Sequence, residues 1–405
     1  MAEEWFRPRH YRHLDTPVGR SFAAKVTVPG FVAEHGWSPL ISYVKREKRY
    51  KPALKKTQFK PRDIMYASHR DACILSYYAW KIGNQLDQRY KAHGLDETVI
   101  AYRSLGKSNY DFAAIALEFA NEIGPCSVMC FDVTGFFDNL NHKILKKILV
   151  ETLGEPTLPS DWFAVFKAVT RYRHISLSSL QGHPVFGLRL KHRSKNAIAT
   201  MAEIKGAGIA IEGNGSGFGI PQGTPISAVL ANLYMWQVDV ALEAACRSAG
   251  ALYQRYSDDI LIVCPLEKQA SLEKELEHQV ALVKLELKAE KTERAIFDPK
   301  KAETFQYLGF NLSPEGAVLR PGSLGRQWRN ARRSLRKTAE VGSAAVGAGK
   351  ATKIYTKKLR RRFSPIGQRN FSSYARRAAS VLRSKRILRQ VRRLERMVDA
   401  AIRDF

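Results

Sequence analysis

The spacing of apolar residues along the chain changes period several times, and each change marks an element. Ser127 to Phe131 is an apolar run closed by Asp132 and reads as a buried strand. Downstream, Ile144, Leu145, Ile148 and Leu149 fall three and four apart, which predicts a helix with Asp138 or Asn139 as its N-cap. Ala251 to Tyr256 and Ile260 to Cys264 read as two strands joined by a tight reversal at Ser257-Asp258-Asp259. Between these regions Thr224, followed by Pro225, predicts a helix start. Val229, Leu230, Leu233 and Val240 give that helix an inward face as far as about residue 246. Near the end of the chain, Ile387, Leu388, Val391, Leu394, Val398 and Ile402 describe an amphipathic helix. Phe371, Tyr374 and Ala378 mark another, over about 370–382. The small residues from Val341 to Gly349 read as a linker or mobile loop.

Composition narrows the function classes. The chain has 405 residues, room for two or three subdomains, and a formal net charge of +28. The cations are unevenly spread: residues 321–405 hold 24 Lys and Arg against 4 Asp and Glu, and the first 320 residues hold 42 against 34. A region so basic predicts salt-dependent, largely sequence-independent binding of a phosphate backbone. Five scattered cysteines make no disulfide framework, and Cys126 and Cys130 lack a second Cys or His pair at zinc spacing. The first 14 residues have no signal-peptide core and no apolar run is long enough to span a bilayer, so a cytoplasmic protein without membrane attachment is expected. Residues 1–60 mix Trp5, Phe6, Trp37 and Tyr43 with the basic run Lys45 to Lys56, suited either to RNA stacking or to the core. Gly213 to Gly217 has no following lysine at phosphate-loop spacing and reads as a flexible turn.

The chemistry concentrates in three carboxylates. Asp258 and Asp259 are adjacent at a hairpin tip, where two ionised side chains repel. A divalent cation with a preference for hard oxygen ligands removes that conflict; the alternative is an exposed acidic turn. Asp132, at the carboxyl end of a strand, adds a third carboxylate. Three such groups can hold two metals roughly 4 Å apart for an in-line phosphoryl transfer. Ile220-Pro221-Gln222-Gly223-Thr224-Pro225 supplies a flat backbone opening a helix, a surface for a base pair or a triphosphate.

In this order and spacing, Phe131 to His142, Gly219 to Ser227 and Tyr256 to Asp259 resemble the palm motifs of reverse transcriptases, closest in pattern to the bacterial group II intron, retron and defence-associated enzymes. Leu285 to Thr292 resembles that family's strand-and-lysine motif, Phe305 to Phe310 its primer-grip hairpin, and Ala101 to Ser108 a fingers motif. The resemblance implies that Asp132, Asp258 and Asp259 bind metal, with the Val133 carbonyl as a further ligand. It implies a steric gate at Phe137, a nucleotide contact at Gln222 and a general acid at Lys291. Candidates for the triphosphate grip are Arg103, Lys107 and Arg70. Ser68-His69-Arg70-Asp71 departs from the Asp-Arg pair of intron and retron enzymes and is more similar to the defence-associated branch. Arg389, Arg392, Arg393 and Arg396 would line a duplex-binding thumb.

The expected architecture is α+β, a right-hand polymerase: an N-terminal extension over 1–60, fingers over 61–125, a palm over 126–320 with an insertion at about 176–217, and a basic helical thumb over 321–405. The expected reaction is RNA-directed DNA synthesis from deoxynucleoside triphosphates with two Mg²⁺ ions, Mn²⁺ serving as a substitute. The expected setting is prokaryotic antiphage defence with a structured noncoding RNA as template or scaffold. The alternatives are a DNA-templated, template-independent or protein-primed polymerase, a retron- or intron-derived enzyme, and a binding scaffold that keeps the fold without the chemistry.

Overall fold

The computed structural model describes residues 4–51, 56–192, 196–300 and 303–405. Within them the strands are, in chain order, β1 (Leu40–Lys51), β2 (Lys56–Tyr66), β3 (Cys126–Asp132), β4 (Arg173–Ser176), β5 (Glu212–Gly213), β6 (Leu252–Tyr256), β7 (Asp259–Pro265), β8 (Glu293–Phe297), β9 (Phe305–Tyr307), β10 (Phe310–Ser313) and β11 (Gly316–Leu319). They form three sheets, ordered β2-β1-β4-β5, β6-β7-β3-β8 and β11-β10-β9.

The sheet β6-β7-β3-β8 is antiparallel throughout, and its strands β3, β6 and β7 are buried on both faces. Side chains alternate across a strand, so its apolar runs feed two cores at once. Met129, Phe131 and Val133, with Ile260, Ile262 and Cys264, enter a core shared with the helices His69–Ala92 and Ser227–Tyr234. Cys126, Val128, Leu261 and Val263 enter a second core with the helix Asn109–Ile123, the sheet β11-β10-β9 and the C-terminal helices. A one-residue slip of β3 would exchange the two sets and move Asp132 off its partner, so double-sided burial fixes the register of the acids.

Several boundaries differ from the sequence expectation for local reasons. Asn141, rather than Asp138 or Asn139, caps the helix His142–Leu153, its side chain accepting from the N–H groups of Lys143 (3.0 Å) and Ile144 (3.1 Å). A 3₁₀ turn, Phe136–Asp138, comes first. Thr224 does not cap: its hydroxyl pairs with that of Ser227 at 2.5 Å, and the helix begins at Ser227, breaks at Met235 and resumes over Trp236–Ser248. Residues 285–292 hold no strand, only a single bridge from Leu287 to Val133 and a 3₁₀ turn at Ala289–Lys291.

The stretch expected as a linker is instead the end of the helix Pro321–Gly347. Its small residues continue the helical bonding, and Gly342 allows Ile354 to pack close enough that a Cβ there would meet it at 2.7 Å. β2 runs through residue 60, so the expected break between an N-terminal extension and the fingers falls inside a hairpin. Of the run Lys45 to Lys56, residues 52–55 lie outside the described residues. The expected insertion packs as helices Leu177–Gly182, Pro184–Lys191 and Met201–Gly206 around Ile175, Phe186 and Ile204. Its glycine-rich turn is held by the Asn214 amide, which donates to the carbonyls of Phe218 (2.9 Å) and Thr170 (3.1 Å). Among the described residues no helix is long and apolar enough to cross a membrane.

Candidate active site

β3 and β7 are neighbours with Asp132 opposite Asp259, an antiparallel register that holds two Cα atoms about 4.5–5.5 Å apart. Asp258 stands beside them at the tip between β6 and β7, where Tyr256 pairs with Asp259. Ser257, the first tip residue, has φ +62°, a left-handed conformation that side chains rarely adopt. Three contacts hold it there. Its carbonyl accepts from Arg255 Nη1 at 2.9 Å, its hydroxyl donates to the Tyr102 hydroxyl at 3.2 Å, and the Asp258 carbonyl accepts from the Val133 N–H at 3.0 Å.

Beneath the tip lies a fully buried ion pair. The Arg255 guanidinium donates to Asp239 through Nε (2.7 Å) and Nη2 (2.6 Å), and Asp239 also accepts from the Tyr253 hydroxyl at 2.9 Å. Burial works against the charge on Arg255, but the facing carboxylate of Asp239 overcomes it and raises the arginine further. The pair joins the helix Trp236–Ser248, β6 and, through backbone bonds of Arg255 to Thr98 and Ile100, the segment before Tyr102.

The three carboxylates open into a cleft of about 580 Å³. Asp259 is open to it, yet lost hydration first, then the charges of Asp258 and Asp132, raise its carboxyl to about 6. Lys291 donates from its ammonium to Asp132. Among the described residues no three His, Cys, Asp or Glu side chains close around a point where a metal ion would sit. The donor set itself suits a hard cation: carboxylate oxygens from three aspartates and the adjacent Val133 carbonyl, under a mutual repulsion that positive charge relieves.

The cleft also contains two cations that sequence reasoning missed. Arg62 reaches it from β2, and Arg320 from the end of β11. Neither is in an ion pair among the described residues, and the charge of Arg320 acts on Asp259. The backbone N–H of Arg320 donates to Gly309 at 3.0 Å, in the turn between β9 and β10. No motif surrounds either arginine; each is recognisable only once the hairpin β1–β2 and the sheet β11-β10-β9 are folded over the carboxylates.

The proposed triphosphate cations are placed elsewhere. Arg103 has only 4% of its side chain exposed and is bound to Asp87 (2.6 Å), Asp96 (2.6 Å) and the Val99 carbonyl (2.9 Å). Its donors are spent on these structural contacts, and it does not border the cleft. Lys107 pairs with Glu97, and Arg70 lies exposed with its guanidinium 6.0 Å from the Phe22 ring centre; neither borders the cleft. Asp71, beside Arg70, is buried and accepts from His35 (2.7 Å) and the Ser38 N–H (3.0 Å), anchoring the N-terminal segment.

Phe137 and Gln222 belong to one assembly, and neither is among the residues that line the cleft. Phe136 is buried while Phe137 is half-buried, and the Ile220 N–H donates to the Phe137 carbonyl at 2.9 Å. Gly219, at φ +84°, allows the Asp138 carbonyl to approach to 2.9 Å from where a Cβ would be. Gly223, at φ +119°, lies against β2, where a Cβ would meet the Met65 carbonyl at 2.6 Å. The Met65 N–H donates to the Gln222 carbonyl at 2.8 Å. Arg389, Arg392, Arg393 and Arg396 are all exposed on the helix Lys385–Arg403, whose other face buries Ile387, Val391, Leu394, Val398 and Ile402.

Residues 72–312 match the family described as reverse transcriptase (RNA-dependent DNA polymerase). No curated protein matches the chain. Similar solved structures include apo telomerase from Candida tropicalis truncated from its C-terminal domain, 13% identical over 68% of this chain and 54% of that one, TM-score 0.47. The apo telomerase of the same organism is 12% identical over 73% and 50%, TM-score 0.46. Telomerase from Candida albicans in complex with a TWJ fragment of telomeric RNA is 10% identical over 93% and 65%, TM-score 0.45. The chain therefore spans about half to two thirds of the length of these proteins.

Asp239→Ala leaves the Arg255 charge buried and unpaired, and its expected cost is about 3–5 kcal/mol of stability. Urea denaturation of the two proteins measures it; a loss below about 1 kcal/mol would show that the pair does not support the tip.

Proposed function

The chain belongs to the reverse transcriptase family, and from that premise we propose that it is an active RNA-directed DNA polymerase. The observation that carries the proposal is the register pairing of Asp132 with Asp259 beside Asp258, in a cleft that also holds Arg62, Lys291 and Arg320. Asp132, Asp258, Asp259 and the Val133 carbonyl would hold Mg²⁺, or Mn²⁺ in its place. Two bound ions supply the charge that favours ionisation of a primer 3′-hydroxyl and neutralises the departing pyrophosphate.

The chain's own groups do the rest. The bond formed joins the primer 3′-oxygen to the α-phosphorus of a deoxynucleoside triphosphate, and the bond broken releases pyrophosphate. Lys291, whose ammonium donates to Asp132, would give a proton to the leaving group. Arg62 faces the cleft from the fingers hairpin and takes the triphosphate role first assigned to Arg103. Arg320, tied to the turn at Leu308-Gly309, holds the primer end. Phe137 crowds a ribose 2′-hydroxyl, and Gln222 presents its loop to the incoming nucleotide. The exposed arginines of the helix Lys385–Arg403 bind the duplex backbone. The resemblance of the Ser68–Asp71 segment to the defence-associated branch, with the very basic C-terminal helices, supports a role in antiphage defence with a structured noncoding RNA.

Primer extension on RNA tests the centre of the proposal. Asp258→Ala is expected to abolish synthesis while leaving salt-dependent RNA binding intact, and Phe137→Val to admit ribonucleotides; synthesis that survives Asp258→Ala removes the site assignment. Arg62→Ala should raise the KM for dNTP about tenfold, and Arg320→Ala the KM for primer–template by a similar factor, the loss of one charge-assisted hydrogen bond each. Exchanged or absent effects in steady-state kinetics reverse or cancel those roles. Sequencing RNA that co-purifies with the protein is expected to recover one structured species; a random sample of cellular RNA counts against a dedicated partner.

A further inference from the structure

Against Thr224, two residues past Gln222, the fold forms a second concave site, open to solvent, of about 630 Å³. Its walls are residues 33–40, the helices His69–Ala92 and Ser160–Thr170, and the segment Arg171–Arg173 that follows. Three exposed cations border it, Lys167, Arg171 and Arg173, none of them in an ion pair among the described residues. Among the described residues that line it the one acid is Asp71, which is hydrogen-bonded to the His35 ring (2.7 Å) and accepts from the Ser38 N–H (3.0 Å). Trp37, Phe163 and Tyr172 supply aromatic surface, and Phe163 is 48% exposed.

Three like charges border a concave, partly apolar wall, and none of the three is in an ion pair among the described residues. Such a site focuses positive potential on an anion. The rings beside the cations favour an anion that carries a planar group, since stacking on an aromatic face is tolerant of base identity. The volume lies within the range of pockets that hold ligands of nucleotide size. We infer that this cavity binds a nucleoside-phosphate unit, its phosphate on Lys167, Arg171 and Arg173 and its base against the rings.

Position narrows the source. The Asn214 N–H donates to the Tyr172 carbonyl at 2.9 Å, and the Asn214 amide donates to the carbonyls of Phe218 and Gly219, directly before Ile220-Pro221-Gln222. Thr224 lines the cavity, two residues past Gln222. An unpaired nucleotide of an RNA strand, close to the loop proposed to contact the incoming nucleotide, is one source; a free nucleotide is the other. The strand source rests on the polymerase reading, and the free-nucleotide source does not.

Photo-crosslinking of the full chain separates them. One probe is a primer–template whose RNA overhang carries 4-thiouridine, the other 4-thiouridine triphosphate alone, with adducts mapped by peptide mass spectrometry. Adducts at Trp37, Phe163 or Tyr172 from the overhang support the strand source, and from the triphosphate alone the free nucleotide. In the triple variant Lys167→Ala, Arg171→Ala, Arg173→Ala the adduct yield should fall at least about tenfold, as expected for losing several charged contacts. For a strand, the slope of log affinity against log salt should also shrink by about 0.7, the value for one phosphate of a single strand. Absence of adducts in the cavity from both probes, or an unchanged yield in the triple variant, overturns the inference. None of these readouts needs synthesis, so a chain that cross-links here but extends no primer contradicts the polymerase reading and leaves the cavity assignment standing.

Discussion

The architecture around the carboxylates depends on one buried charge pair. Arg255 and Asp239 have no exposed side-chain surface, and desolvating two ions is costly unless the geometry repays it. Here the guanidinium and carboxylate meet fork to fork, and the third nitrogen of Arg255, Nη1, donates to the Ser257 carbonyl and the Asn232 amide oxygen. An apolar pair of the same volume could fill the space, but it could not hold a left-handed serine by its carbonyl. The pair therefore trades cheap packing for direction, and its direction is toward the tip that carries Asp258.

The double-sided sheet does complementary work. Because β3 and β7 contribute alternate side chains to two separate cores, neither strand can shift without exposing apolar surface on both faces. Asp132 and Asp259 lie just where those strands emerge from cover, so a rigid interior ends in charged groups at the cleft. Repulsion among the acids is tolerated because the packing behind them resists any local escape.

Much of this was legible in the sequence because its signals are local. Adjacent carboxylates between two apolar runs, a strand ending in Asp132 and a Pro-Gln-Gly turn are short patterns, and the strands around Asp132, Asp258 and Asp259 formed within a residue or two of expectation. What was not legible depends on distant partners. Arg103 stands in a motif-like segment, but Asp87 and Asp96 close around it, and no spacing rule foretells that enclosure. Arg62 and Arg320 are two of 66 basic residues until tertiary structure brings them to the cleft. The stretch from Val341 to Gly347 has the composition of a linker, yet contact with Ile354 favours helix over its weak intrinsic preference.

At Gly223 the loop carrying Gln222 and the hairpin β1–β2 come together with the Met65 main chain and the Ile64 side chain against the glycine, and one backbone hydrogen bond crosses the contact. Side-chain contacts can slide or change rotamer under load; two main chains pressed together cannot. The hairpin and the loop thus share a fixed contact: the strand that bears Arg62 also holds the Gln222 carbonyl through the Met65 N–H. The spacing between these two surfaces is set by the thickness of a peptide, a dimension that substitution at neighbouring positions leaves unchanged.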